Sequence, residues 1–237
     1  GMDKKNEVNF LSKIIKPDVG IITNISYAHI KNFKSIKEIA LAKSEIIQNV
    51  KENGYLVLNA DDHFYTFHKK IALKRKLNVL SFSLKKRSSN IYLNSIEKQK
   101  FKYKIYITIN NIDKYFYFNT CFESDLKNLL ASITIVSIYK NINKLDCNYF
   151  YNHKVPAGRG DISKIKLFKK KFYLIDHSYN SNPLSLNSAL KNFDMIKLNN
   201  DKKHLILGDM LELGRYSKKL HTDVAKNINK TSIKNVN

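Results

Sequence analysis

Cysteine is nearly absent from the chain. Cys121 and Cys147 are the only two, and their spacing matches neither a metal site nor a redox pair. Both are expected to be reduced, partly buried thiols, which excludes a disulfide scaffold. Glycine is scarce at seven residues, and none is followed by lysine, so no G-K-[ST] phosphate loop of any length occurs. No apolar run approaches the roughly 20 residues that span a bilayer. Asp3 to Glu7 is polar and mostly charged, with no apolar signal core behind it, so a cytoplasmic protein is expected. Gly1-Met2 reads as an expression scar. Arginine occurs only at Arg75, Arg87, Arg159 and Arg215, and every other cation is lysine. The net charge of +22 could signal nucleic acid. Arginine is the better residue for bidentate recognition of bases and phosphates, however, and the lysines are scattered among Asn and Ile. No nucleic-acid partner is expected; the charge reads as lysine filling solvated faces.

The 237 residues carry enough apolar side chains for one large or two modest cores. VGIITNI (19–25) is an apolar run ending in polar residues, as in a buried strand. Ser35, with Glu38 three residues on, is a capping-box signature for a helix over about 36–49. Gly54 stops it, and YLVLN (55–59) is a second buried strand. This rhythm is that of a parallel α/β sheet. Residues 77–84, 91–98, 102–109 and 114–120 read as strands rich in Ile, Tyr and Phe, with a turn at Asn110-Asn111-Ile112-Asp113, and antiparallel hairpins are expected. A helix is predicted over about 124–141.

VPAGRGD (155–161) is the best boundary, placing one domain over 3–156 and another over 157–237. Beyond it, strands are predicted at 171–178 and 204–210. Helices are predicted from Asn182-Pro183 to about 196 and from about Ser217 to Asn229, a partial Rossmann-like unit. Ligands in open α/β sheets bind beyond the carboxyl ends of the strands. Four polar clusters occupy such ends: Thr23-Asn24 with His29, Asn59 to Asp62, Asp176 to Asn180, and Gly208-Asp209-Met210. Together they suggest a ligand groove.

At these clusters the chain resembles the Mur ligase family. PDVGIITNISYAHIKNFKSIKEIALAKSEI (17–46) and NADD (59–62) are similar to its central ATPase domain. GRGD (158–161), LIDHSYNSNPLSLNSAL (174–190) and LILGDMLELG (205–214) are similar to the start of its C-terminal domain. The Y-N-x-N-P and L-G-D-M-x-E-L-G strings are typical of the member that adds D-alanyl-D-alanine to UDP-N-acetylmuramoyl-tripeptide. The resemblance implies an ATP-dependent peptide ligase of peptidoglycan synthesis that works through an acyl phosphate with Mg2+.

Residue by residue, it implies His29 as a metal ligand and Lys43 as a carbamylated lysine holding a second Mg2+, both counted as catalytic. Burial would favour the neutral amine that reacts with carbon dioxide, and Lys43 stands beside Ala42 and near Ile46 on the helix's apolar side. Asn24, Asn59, Asp61, Asn128, Arg159 and Asp176 are implied nucleotide contacts. Tyr179, Asn180, Asn182, Asp209 and Glu212 are implied substrate contacts. His221 falls on a family position with no role assigned. Each has a plainer alternative: an exposed loop histidine, a solvated lysine, polar turn residues, or for Asn182 a helix cap.

The chain departs from the family in places. Ser124 and Asp125 stand where His and Asn are usual before Asn128, and His177 stands where a second acid is usual after Asp176. The family's phosphate loop, its upstream acidic metal ligand and its N-terminal UDP-sugar domain are not found, nor is the far half of its last domain. A chain truncated relative to the enzyme, and inactive alone, is therefore expected. Two alternatives remain at this point. One is a basic nucleic-acid-binding protein on an α/β scaffold, using Tyr/Phe-rich strands. The other is a ligase similar to folylpolyglutamate or cyanophycin synthetase, against which the Y-N-x-N-P string argues.

Overall fold

A capped helix between two buried strands starts the architecture. In this computed structural model, which describes residues 2–100, 102–196 and 202–237, the strands β1 (Val19–Ile22) and β2 (Tyr55–Asn59) pair in parallel. Gly1, read above as part of a scar, lies outside the described residues. The helix between them, Ile36–Asn49, is preceded by Ser35, whose side chain accepts from the Glu38 N–H. An additional helix, α1 (Glu7–Ile15), comes first, so Ile36–Asn49 is α2. The Glu45 carboxylate on α2 accepts from the Asn6 and Asn9 N–H groups at the start of α1, satisfying donors a helix leaves unpaired there.

A further helix, α3 (Tyr65–Lys74), leads into β3 (Asn78–Ser83), which pairs in parallel with β2. β3 meets β4 (Ile91–Lys98) in parallel only at Phe82–Ile91 and Ser83–Tyr92. β4, β5 (Tyr103–Ile109) and β6 (Ile112–Phe118) then form the expected antiparallel meander, giving one six-stranded sheet in the order β1 to β6. The β5–β6 turn is tighter than the sequence implies. Asn110 and Asn111 alone form it, at φ 47° and 69°, the left-handed pair a two-residue hairpin requires. Ile112 and Asp113 already belong to the strand.

α4 (Glu123–Tyr139) covers one face of this sheet around Phe82, Ile105, Phe116, Leu130 and Ile133. Ile47 and Ala72, from α2 and α3, build the core of the other face with Ile22, Leu56 and Leu58. Both faces of the parallel part are therefore apolar, which leaves the strand ends as its polar rim.

The chain divides into two compact units. The first runs up to Ile25 and resumes over Phe33–His153; the second comprises Ser26–Asn32 and Lys154–Asn237. In the second, β7 (Asp161–Leu167) and β8 (Lys170–Asp176) form an antiparallel hairpin. α5 (Pro183–Asp194) follows, then β9 (His204–Leu205), α6 (Ser217–Ile228) and β10 (Asn235–Val236), with β9 and β10 parallel. Although the Leu207 N–H still donates to the Asn237 carbonyl at 2.9 Å, the strand expected over 204–210 is confined to His204–Leu205. Ile206 beyond them is 81% exposed. The sequence reading missed β7 because two polar residues, Ser163 and Lys164, separate Ile162 from Ile165, so its apolar residues do not alternate. Among the described residues, no helix is long and apolar enough to cross a membrane.

Candidate functional site

In the first unit the carboxyl ends of β1, β2 and β3 are laced together by side chains. Asn59, buried at the end of β2, donates from Nδ2 to the Thr23 carbonyl at 3.0 Å, while its Oδ1 accepts from the Asp61 N–H at 2.9 Å. The Asp61 carboxylate accepts from the Ser83 hydroxyl at 2.6 Å and from the Leu84 N–H at 2.7 Å. Asp62 accepts from the Ile25 N–H and the Phe64 N–H, both at 2.8 Å. Asn59 and Asp61, expected beside a nucleotide, thus act visibly as ties between three strand ends. Asp62 and Ser83 complete the lacing. Asp62 belongs to the strand-end cluster Asn59 to Asp62 but carries no role of its own in the sequence, and Ser83 gives no signal beyond its place at the end of an apolar run.

Lys43 projects from α2 into this rim. Its Nζ donates to the Asn24 carbonyl at 3.0 Å. Withdrawal from water pushes its pKa down, and the nearby Asp62 carboxylate opposes the shift in part. His68 on α3 lies close by and is 2% exposed, with Nε2 3.0 Å from the Ala40 carbonyl. Since a carbonyl only accepts, Nε2 carries the hydrogen. Burial lowers the His68 pKa, the Ala40 bond and Asp62 oppose this, and the Lys43 charge adds to it. The sequence reading gave His68 no place. Asn128, one turn into α4, is exposed, and the neighbouring Asp125 accepts from the Thr120 hydroxyl at 2.9 Å.

In the second unit the GRGD and DHSYN strings fold onto each other. Gly160 N–H donates to the Asp176 carbonyl at 2.6 Å, and Tyr179 N–H to the Gly158 carbonyl at 3.1 Å. Gly158 at φ 74° and Gly160 at φ 104° adopt backbones that other residues rarely take, and a Cβ on Gly160 would lie 2.8 Å from the His177 ring. The Arg159 guanidinium sits over the Tyr179 ring, 4.5 Å from its centroid. The Ser178 hydroxyl and backbone N–H hold the Asp176 carboxyl below its usual range. Asn182 is a helix cap: its side chain accepts from the Leu184 and Ser185 N–H groups, and Ser185 completes a capping box. Asn180 is exposed beside it.

His29 and Glu212 also meet in this unit, Nδ1 lying 2.6 Å from Oε2. The contact is one of proximity, because Nδ1 is buried without an aligned hydrogen-bond partner. Both residues are left-handed, at φ 62° and 61°, and the Lys31 N–H donates to the Glu212 carbonyl at 2.8 Å. Asp209 and Glu212 line an open pocket of about 510 Å3 with Met210, Ser217 and His221.

The Mur ligase middle domain family matches residues 1–136, more than half of the chain. The chain belongs to the Mur ligase family. It is 30% identical to the UDP-N-acetylmuramoyl-tripeptide--D-alanyl-D-alanine ligase of Rickettsia prowazekii (strain Madrid E), an alignment covering 94% of this chain and 49% of that protein. Among solved structures, MurF from Acinetobacter baumannii superposes with a TM-score of 0.85 at 22% identity, covering 100% of this chain and 49% of that one. MurF from Thermotoga maritima, solved in complex with ADP, gives a TM-score of 0.79 at 23% identity over 96% of this chain and 50% of that one. The chain thus spans about half the length of the curated relatives it matches. The mixed α/β fold with a mostly parallel first sheet agrees with this Mur family membership.

Proposed function

We propose that this chain is part of an ATP-dependent ligase that joins D-alanyl-D-alanine to UDP-N-acetylmuramoyl-tripeptide. The observation that carries this reading is the Lys43 amine, desolvated at the laced strand ends, inside the stretch that the middle-domain family matches. Residues 3–156 would be part of the central ATPase domain and 157–237 part of the C-terminal domain.

The reaction needs two displacements. A substrate carboxylate oxygen attacks the γ-phosphorus of ATP, and ADP leaves. The dipeptide amine then attacks the acyl carbon, phosphate departs with the bonding electrons, and the new amide loses a proton. Lys43 prepares for this by forming a carbamate: its neutral nitrogen bonds to the carbon of carbon dioxide and releases a proton. Bound Mg2+ would supply neutralisation of phosphate charge. A hard cation prefers oxygen donors, which an unmodified amine lacks and a carbamate provides. His29, whose Nδ1 is buried and unaligned, would be a ligand to the other Mg2+. Asn24, Asn59, Asp61, Asn128, Arg159 and Asp176 would shape the nucleotide site, with Asn59 and Asp61 acting by holding the strand ends. Tyr179, Asn180, Asn182, Asp209 and Glu212 would border the substrate.

The test uses the protein encoded by the full reading frame that contains this sequence. Phosphate release should require ATP, UDP-N-acetylmuramoyl-tripeptide and D-alanyl-D-alanine together. Lys43→Ala should lower kcat by about 10²–10³-fold, the usual cost of losing one electrostatic element of a site. With 13C-bicarbonate, a carbamate carbon signal should appear and vanish in Lys43→Arg. A full-frame protein that makes no amide product with all three substrates would overturn the reading. The 237-residue chain alone, with no Gly-Lys phosphate loop, is expected to release no phosphate.

A further inference from the structure

We propose that His221 is a positioning residue for the Asp209–Gly214 loop, acting as a neutral imidazole with its hydrogen on Nδ1. The inference rests on the ligase reading for its kinetic consequence, but not for its geometry. His221 lies one turn into α6. Its Nδ1 is 2.9 Å from the Ser217 carbonyl, and its Nε2 is 3.2 Å from the Met210 backbone nitrogen. A carbonyl can only accept and an amide N–H can only donate. Nδ1 must therefore carry the hydrogen and Nε2 the lone pair. The other tautomer loses both bonds, and the imidazolium loses the one to Met210.

The charged groups around the ring do not replace these bonds. Asp209 Oδ1 lies 3.8 Å from Nε2, beyond hydrogen-bond range, while Lys218 and Glu212 border the same pocket. The Ser217 hydroxyl, 3.3 Å from Nδ1, meets a nitrogen that is already a donor. Ser217, His221 and Asp209 therefore resemble a nucleophilic triad only in composition: no ring nitrogen is free to take the serine proton.

What the bond to Met210 does follows from the next residues. Met210 and Leu213 are buried, so the loop is anchored at both ends and Leu211 and Glu212 project between them. Glu212 is held left-handed there, with its carbonyl on the Lys31 N–H and its carboxylate against His29. His221 fixes the entry to this loop and so the place of Glu212, without itself reaching substrate.

Two measurements test this. Long-range 1H–15N spectra of the 237-residue chain should show His221 protonated at Nδ1 and bare at Nε2; a bare Nδ1 would overturn the proposal. In the full-frame ligase, Gln at 221 can place an oxygen where Nε2 was, whereas Asn reaches only the Nδ1 position. His221→Asn should raise the KM for D-alanyl-D-alanine about 5–10-fold with kcat within about twofold, as expected for one lost hydrogen bond. His221→Gln should stay within about twofold of the parent in both. Equal KM values for the two variants would overturn the positioning role even if the tautomer is as expected. A parent enzyme that makes no product would instead sink the ligase reading and leave the tautomer result standing.

Discussion

An ammonium group gives up hydration when a helix holds it against a carbonyl, and Lys43 shows the consequence. Burial lowers its pKa, with Asp62 opposing. An unfolded chain keeps that proton up to the ordinary lysine range, about 10.4, whereas the folded chain releases it earlier. Between those two values the unfolded state binds more protons, so this site's contribution to stability rises with pH; below the folded pKa the penalty is full. Lys43→Met should therefore stabilise the fold at pH 7 by about 1 kcal/mol, or about 2–4 °C in Tm, while activity is lost. The gain should shrink as pH approaches 10, which thermal melts at both pH values would reveal. A lower Tm at pH 7 would show that the bond to the Asn24 carbonyl outweighs desolvation. Gly160 offers a second check. Ala there must adopt φ 104° and meet the His177 ring, so Gly160→Ala should cost about 1 kcal/mol or more in a urea melt. The sequence indicated that Asp61 and Asp176 sit at strand ends and that Lys43 sits on the apolar side of a helix. It could not indicate their partners, because Ser83 is 22 residues from Asp61 and only the β2–β3 register brings them together.

Elements were legible where local chemistry decides them. Ser35 and Glu38 mark the start of α2 through a cap made within four residues, and Asn182-Pro183 marks α5 in the same way. Elements decided by distant partners were not. α1 depends on Glu45 from α2, and β9 depends on β10, some 30 residues later. The cap at Asn182 also separates two roles for that residue. Asn182→Ala should destabilise the protein by about 1 kcal/mol, and Asn182→Asp, an equally good cap, should restore it. If Asn182 also borders substrate, the Asp variant will melt like the parent yet raise the KM for the dipeptide. Parental KM in that variant would reduce Asn182 to its cap.

At the scale of the whole molecule, a net charge of +22 on 237 residues repels itself, and lysine supplies nearly all of the cations. Some of that charge is already engaged on aromatic rings: Lys102 lies 3.2 Å from the Tyr117 centroid, and Lys104 lies 4.1 and 4.7 Å from those of Tyr115 and Tyr106. These tyrosines stand on the β5–β6 face that a nucleic-acid reading would need free for base stacking. Self-repulsion is screened within about 10 Å at 0.1 M salt. The Tm should therefore rise between about 0.02 and 0.3 M NaCl, the reverse of a fold held by surface ion pairs. Any polyanion should bind at the low end and be released at the high end, because each neutralised phosphate returns a counterion. Single-stranded DNA bound at low salt should thus lose at least about 10³-fold in affinity at about 0.3 M. ATP with Mg2+ should behave differently on the full-frame protein, since the nucleotide site proposed for it would depend on the geometry of its contacts more than on net charge. A thermal shift by ATP that survives about 0.3 M NaCl while DNA binding vanishes would separate the specific site from the general charge. DNA binding that persists at that salt, with base preference, would instead make the positive charge functional in its own right.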